Sequence, residues 1–338
     1  MGRQLRIGGY VFNIEFARCL LEFVLFPLSS FLSYNPKKKT IMTVIDSDNR
    51  HAKKTRDQLA YLKTLTESLD SWDFVSEQDG VKLYTKDIPD SPLPIVRGDT
   101  VRDDLDCSPQ DIVSAAVLPG CRAVWDEQFD TSDIKELYTR YESLFWVKMK
   151  APWPVSPRDI SGTSIRDYSD DVVFMSMTSV EDGLNPPDPE CVRANLVVSG
   201  WKFYKTQDNK IGITYITQID LGGYIPYWLL KSIQTSIPLC AGKLADYVKE
   251  RGFPPNTRVC TGKFLGETLE EKEDGAIAYN VQVDGGEIEC LVSGKMFPTI
   301  QVHVDGQAGE PEVVVEEKEN KVVRIKAIQG QVKIRLTR

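Results

Sequence analysis

Histidine is the scarcest chemically versatile residue in this chain, since the 338 residues contain only His51 and His303. A zinc site needs clustered histidine and cysteine ligands, whereas the seven cysteines are dispersed and show no Cys-x-x-Cys spacing. A Ser-His-Asp arrangement is also difficult to build, because neither histidine lies in the central part of the chain. We therefore expect no metal centre, no cofactor and no catalytic residues.

Other signatures are missing as well. The sequence contains neither a Gly-x-Gly-x-x-Gly nor a Gly-x-x-x-x-Gly-Lys loop of the kind that cradles phosphate groups. An odd, dispersed set of cysteines suits reduced thiols in the cytoplasm better than a disulfide framework. The net charge of −8 argues against a general nucleic-acid binder, which would carry a basic surface. These absences favour a cytoplasmic protein that does not bind nucleic acid.

The composition itself, with 41% hydrophobic and 27% charged residues, is that of a soluble globular protein long enough for two domains. Residues 1–34 are nevertheless unusual: Tyr10 to Leu32 is rich in Phe and Leu, and its three charged residues fall on one stripe of a predicted amphipathic helix. Such a helix could lie in a membrane interface, with Lys37–Lys39 near the headgroups, or pack on the protein's own core. Residues 35–51 are polar and predict a linker.

Residues 52–255 follow the order helix, strands, helix. Leucines repeat at helical spacing over Ala52–Leu69, and Gln78-Asp79-Gly80 predicts a turn before a strand at Val81–Tyr84. Several further strands lead to a long helix over Ile225–Arg251, which Pro238 should kink. This order predicts an α+β domain in which an antiparallel sheet packs on a long C-terminal helix.

Residues 256–338 alternate short apolar runs with turn signals, which predicts an all-β domain, either a sandwich or a barrel. An acidic turn or loop is expected at Glu267–Asp274. The turn signals are Asp284-Gly285-Gly286, Asp305-Gly306, Glu319-Asn320 and Gln329-Gly330.

Trp153 lies between two prolines, Pro152 and Pro154. Proline lacks an N–H and restricts the residue before it, so Trp153 is predicted to lie on a stiff loop. The segment Ala151–Asp159, which follows a strand-like run, resembles the central motif of the START family, the steroidogenic-acute-regulatory-related lipid-transfer domains. Four further pieces of sequence appear in the family's order, from Ala52 to Pro255: Trp125-Asp126, Cys191-Val192-Arg193-Ala194, Ser199-Gly200 and Ile219–Pro226.

The resemblance implies a helix-grip fold, with a curved sheet around the last helix and a hydrophobic cavity between them. In that fold Tyr224 and Trp228, at the start of the last helix, would lie near Trp153 and form a gate that also touches a membrane. Arg158 and Asp159 are expected to anchor the loop as a charge pair.

Some START members place an acid that binds the lipid headgroup where Asp126 stands, although a surface turn residue is the plainer interpretation of this aspartate. Tyr215 alternates in phase with the isoleucines of its strand, which predicts an inward ring whose hydroxyl binds either ligand or protein. Ser164 occupies the place of a frequent family arginine, and Arg166, two residues later, could still point inward.

Phe145 or Val147 stands where the family often places an acid or amide before the Trp loop. This difference favours either a more apolar pocket or a ligand that is held differently. We therefore expect a neutral or weakly polar lipid, sterol-like or ceramide-like, to be bound and transferred without catalysis at membrane surfaces. One alternative is a lipid-sensing adaptor whose C-terminal domain binds a protein partner. Another is an enzyme with a Lys- or Tyr-based mechanism, which the shortage of histidine disfavours.

Overall fold

The computed structural model of the chain describes residues 4–7, 10–13, 48–89, 91, 93–153, 155–223, 225, 236–271 and 275–338. It divides into two compact units, residues 1–39 and 40–338. In the first unit β1 (Gln4–Ile7) pairs antiparallel with β2 (Tyr10–Asn13). The helix expected from Tyr10 is therefore wrong at its start, where two glycines between short apolar runs are a hairpin signal. The rest of that prediction lies outside the described residues.

The second unit contains two sheets and four described helices. The helices are α1 (Ala52–Leu65), α2 (Pro109–Val117), α3 (Pro119–Trp125) and α4 (Cys240–Arg251). Among the described residues, no helix is both long and apolar enough to cross a membrane.

The strands of the large sheet are β3 (Asp73–Gln78), β4 (Val81–Lys86), β5 (Ile95–Arg102), β6 (Phe129–Leu137), β7 (Glu142–Met149), β8 (Arg158–Tyr168), β9 (Val172–Ser179), β10 (Val192–Arg193), β11 (Asn195–Lys205) and β12 (Ile211–Asp220). The sheet is antiparallel apart from one short parallel pair, and its spatial order is β3-β4-β5-β12-β11-β9-β8-β7-β6, with β10 beside β8. The second sheet is formed by β13 (Asn256–Cys260), β14 (Lys263–Glu271), β15 (Ile277–Val292), β16 (Gln301–Gln307), β17 (Glu312–Val315) and β18 (Lys321–Thr337).

The two faces of the large sheet pack on different helices. Tyr215 of β12 lies opposite Gly98 of β5, and a Cβ at Gly98 would come within 2.2 Å of the Pro238 carbonyl oxygen, just before α4. We call this the inner face. The outer face packs on α1, where the Thr55 hydroxyl lies 2.9 Å from the Thr163 hydroxyl. The expected antiparallel sheet packed on a C-terminal helix is therefore confirmed.

Several expected boundaries shift. The first helix ends at Leu65, and Leu69 is exposed. The last helix is described at Ser236 and over Cys240–Arg251, with a 3₁₀ turn at Ile237–Leu239 between them. Ile225 is not helical, and residues 226–235 lie outside the described part.

The linker expected to extend to residue 51 is wrong at its end. Asn49 is buried and donates a hydrogen bond of 2.7 Å to Glu142. Arg50 and His51 both bind Asp182. These side chains attach the start of α1 to the large sheet.

The C-terminal sheet folds back on itself. Tyr279 and Cys290 are eleven residues apart on β15, which would be about 36 Å along a straight strand. Yet the Thr257 hydroxyl lies 3.3 Å from the Tyr279 hydroxyl and 3.6 Å from the Cys290 sulfur. The strand bends at Gly285 and Gly286, where the ladder shifts register. The Asp284-Gly285-Gly286 signal thus marks a bulge within one strand instead of a hairpin turn.

The expected all-β C-terminal region is confirmed, but it shares one hydrophobic core with the large sheet and its helices. Gly120 of α3 lies so close to β14 that a Cβ there would come within 1.9 Å of the Leu269 carbonyl oxygen. The acidic loop expected at Glu267–Asp274 is wrong over Glu267–Glu271, which belong to β14. Pairing with β15 and packing against α3 outweigh the turn-like local sequence of this segment.

This close approach predicts that Gly120→Ala destabilises the whole second unit. The added methyl group must displace backbone, so we expect a loss of about 1–3 kcal/mol in the free energy of unfolding. Urea denaturation followed by tryptophan fluorescence measures the loss. The control is Gly183→Ala, whose Cβ would meet nothing within 4 Å. Equal stability of the two variants would show that α3 is not held against β14.

Candidate functional site

A row of five side chains, four of which carry a hydroxyl group, crosses the middle of the inner face. The strand register aligns five residues on five adjacent strands: Ser143, Ser164, Met177, Ser199 and Thr217. The Ser143 and Ser164 hydroxyls are 2.9 Å apart. This row places polar atoms on an otherwise largely apolar face. A hydroxyl group can both donate and accept hydrogen bonds, so these side chains could bind a polar group of a ligand.

Tyr215 lies two residues before Thr217 on β12, on the same face of the sheet. Its hydroxyl lies 3.1 Å from the Ser199 hydroxyl, and its ring stacks on Trp201 with 4.3 Å between ring centroids. Burial, together with the nearby Cys240 thiol, raises the pKa of Tyr215 to about 12. The phenol therefore stays neutral near pH 7 and can donate a hydrogen bond.

Asp126 is buried at the end of α3, so the interpretation as an exposed turn residue is wrong. One carboxylate oxygen lies 2.9 Å from Nε of Arg122, and the other accepts a hydrogen bond of 3.1 Å from the backbone N–H of Gln128. The neighbouring Trp125 packs edge-on against Trp201, whose ring also contacts Tyr215. This chain of aromatic rings connects Asp126 to the inner face.

Phe145 and Val147 lie on the same face of β7 as Ser143, and both are buried. They belong to an apolar cluster at one end of the inner face, completed by Phe129, Ile160, Ala194 and Leu196. Apolar side chains therefore occupy the place on β7 where the family often has an acid or amide.

Arg166 lies two residues beyond Ser164 on β8, but its guanidinium contacts the C-terminal sheet. Nη1 lies 4.0 Å from Oε1 of Glu267, and Nη2 donates a hydrogen bond to the Arg140 carbonyl. The other oxygen of Glu267 accepts a hydrogen bond of 2.5 Å from the Tyr279 hydroxyl. These contacts place Arg166 at the junction of the two sheets.

Trp153 lies on a loop, as predicted, and 92% of its surface is exposed. Arg158 ends this loop and donates hydrogen bonds of 3.1 Å to the carbonyls of both Leu221 and Gly222. The Trp153 loop and the segment that follows β12 are therefore held together by one side chain. Tyr224 and Trp228, the other expected gate residues, lie outside the described residues.

Arg158 and Asp159 do not pair with each other, because adjacent residues of a strand point to opposite faces. Asp159 is fully buried and binds Arg193 through both oxygens, at 3.0 and 2.7 Å. Burial raises the pKa of Asp159, but hydrogen bonds from Arg193 and from the Trp146 indole outweigh it and leave that pKa below its ordinary value.

Sequence reasoning missed Arg122, Arg193 and Trp201 as partners of the site. The spacing of Arg122 and Asp126, i and i+4, could have revealed the first pair. Arg193 and Asp159 are 34 positions apart, and no local signal joins them. Within the described ranges, no group of three or more His, Cys, Asp or Glu side chains could hold a metal ion.

Comparisons with known proteins identify the family of the central region. A profile of the START domain matches residues 55–242. Human StAR-related lipid transfer protein 5 superposes with a TM-score of 0.53 at 20% identity, over 59% of this chain and 96% of that one. Human STARD10 gives 0.51 at 19% identity, over 56% and 78%.

Among curated proteins, an uncharacterized protein of Pseudomonas aeruginosa is 23% identical over 172 residues, covering 50% of this chain and 82% of that one. The two solved structures share the fold of the central region. The family match covers more than half of the chain. The chain therefore belongs to the START domain family, a family of lipid-binding domains.

Proposed function

We propose that this protein binds one lipid against the inner face of the large sheet and transfers it between membranes without catalysis. The observation that carries the proposal is the row of hydroxyl-bearing side chains beside the apolar cluster around Phe145. Burial of an acyl chain contributes about 0.8 kcal/mol per CH₂ group. Apolar area alone could therefore hold a lipid outside the bilayer.

The ligand is a neutral or weakly polar lipid, sterol-like or ceramide-like. Asp126 already has Arg122 as its counter-ion, and Arg166 is held at Glu267, so both of these ionic groups have protein partners. Tyr215 and the serine row offer hydroxyl groups, which suit a hydroxyl or amide headgroup. Phosphatidylcholine would bring a zwitterion to a site where Asp126 and Arg166 already have counter-ions, and its desolvation there is costly.

The Trp153 loop forms the gate and contacts the membrane. An exposed tryptophan suits the boundary between water and lipid, because its ring is apolar and its N–H is polar. Arg158 ties the base of this loop to the end of β12. The exposed tryptophan supports a peripheral association with membranes, and the dispersed cysteines are the reason to propose a cytoplasmic location.

A second candidate is a lipid-sensing adaptor. Helix α3 ends at Asp126 on the lipid side and touches β14 through Gly120 on the other side. A ligand that shifts α3 would therefore also shift the C-terminal sheet, which could bind a protein partner. Partner capture that depends on added lipid, without transfer between vesicles, would favour this candidate.

Transfer of a fluorescent ceramide or sterol between vesicles tests the main proposal, with Trp153→Ala as the variant. We expect slower transfer and weaker vesicle binding with a nearly unchanged melting temperature, since Trp153 is almost fully exposed. Phe74→Ala removes another exposed aromatic ring, far from the loop in sequence, and should leave transfer intact. A marked fall in melting temperature for Trp153→Ala would instead show that this ring packs on the protein.

Headgroup selection is tested by Tyr215→Phe, which removes one hydroxyl from the inner face. We expect the affinity for the neutral lipid to fall by about 1 kcal/mol, the value of one buried hydrogen bond. Asp126→Asn should weaken binding by a similar amount. The control is Tyr204→Phe, because Tyr204 lies on the outer face of the same sheet, over Gly212. Unchanged affinity in both Tyr215→Phe and Asp126→Asn, or a preference for phosphatidylcholine, would contradict the assignment.

A further inference from the structure

The two long edges of the folded C-terminal sheet are covered unequally. The edge formed by β13 and β14 rests on helices: Asn256 donates a hydrogen bond of 3.0 Å to the Gln110 carbonyl of α2, and Leu269 lies against Gly120 of α3. The opposite edge is formed by β16 and β17, which pair only with β18 among the described strands. The backbone on the far side of β17 therefore has no described strand as a partner.

An apolar row of the sheet stops abruptly at this free edge. The register aligns Cys290, Val323 and Val313 across β15, β18 and β17. The first two side chains are buried, whereas Val313 is 41% exposed and Val315, on the same face, is 65% exposed. One more strand beside β17 would cover both valines and extend the core by one strand.

Charge identifies the kind of strand that fits. Residues 310–319 contain five glutamates and one lysine, and that lysine, Lys318, already binds Asp106. A second copy of this chain paired antiparallel at β17 would bring Glu312 towards the partner copy's own acidic end, and such like-charge contacts are unfavourable. A segment that carries Lys or Arg beside its apolar residues would instead be attracted.

A neighbouring cavity strengthens the preference for cations. It has a volume of about 740 Å³ and begins at Glu316 and Glu317, directly after β17. Its lining contains six carboxylates and only three described cations, one of which, Arg258, lies 3.8 Å from Glu316. The lining therefore keeps an excess of negative charge, to which Asp170 and Asp171 contribute. A lysine or arginine side chain that follows the added strand could enter this cavity.

We propose that the free edge of β17 binds an extended peptide in which β-branched residues alternate with polar ones and Lys or Arg residues flank them. The peptide adds a strand to the C-terminal sheet and places a cationic side chain among the carboxylates. This interaction is separate from lipid binding, since it uses neither the inner face nor the Trp153 loop.

Selection of a random octapeptide library on the full-length protein tests this proposal. Enriched peptides should carry net positive charge and alternating Val, Ile or Thr. Their binding should protect the amides of residues 312–317 from hydrogen exchange. Val315→Lys should weaken binding at least tenfold, because it removes an apolar contact and adds a like charge. Val101→Lys is the control, since Val101 is 51% exposed on an interior strand, and it should change binding less than twofold.

Three results would overturn the proposal. The first is no enrichment over a support without protein, and the second is enrichment of neutral or acidic peptides. The third is equal binding of the selected peptides to wild type and to Val315→Lys. Sedimentation adds a further outcome: a dimer that Val315→Lys dissociates would show that a second copy occupies this edge. If Val315→Lys fails to fold, Glu316→Gln tests the charge argument instead. It removes one carboxylate at an exposed position and should weaken binding of the cationic peptides.

Discussion

Strand β8 fixes both ends of the inner face through two arginines. Arg158 and Arg166 are eight residues apart on the same face, about 26 Å along the strand. Arg158 holds the carbonyls beyond β12, whereas Arg166 contacts Glu267 of the C-terminal sheet. Between them lie Ile160, Gly162 and Ser164, whose small or apolar side chains set the character of the face. The proposed ligand therefore has a defined length of sheet to occupy.

The outer face of the same strand is held by a buried charge pair. Asp159 is fully buried and binds Arg193, and removal of one partner from such a pair typically costs about 3–5 kcal/mol. Because the pKa of Asp159 is lowered in the folded protein, its contribution to stability is present above the ordinary pKa of an aspartate. That contribution is lost as the pH falls through the lowered value. The Trp153 loop thus depends on an ionised carboxylate at its base.

Much of this arrangement could be predicted from local sequence. Alternation placed Tyr215 on the inner face, and the flanking prolines placed Trp153 on a loop. Partners distant in sequence were not predictable: Glu267 was expected in a loop, yet it lies on β14 opposite Arg166, because pairing with β15 decides its conformation. Likewise, Asp284-Gly285-Gly286 has the residue types of a turn. Because β15 pairs with the long strand β18 on both sides of this segment, the three residues form a bulge within the strand. Local signals identified elements, and non-local pairing decided which of them meet.

Native mass spectrometry of the purified full-length protein tests the central claim most directly. If the inner face between Arg158 and Arg166 holds one lipid, the spectrum should show one neutral or weakly polar lipid per chain. That lipid should be lost when a Ser199→Trp substitution fills the middle of the hydroxyl row in a variant that still folds. A spectrum without bound lipid after equilibration with ceramide-containing or sterol-containing vesicles would contradict the account, as would lipid retained equally by the Ser199→Trp variant.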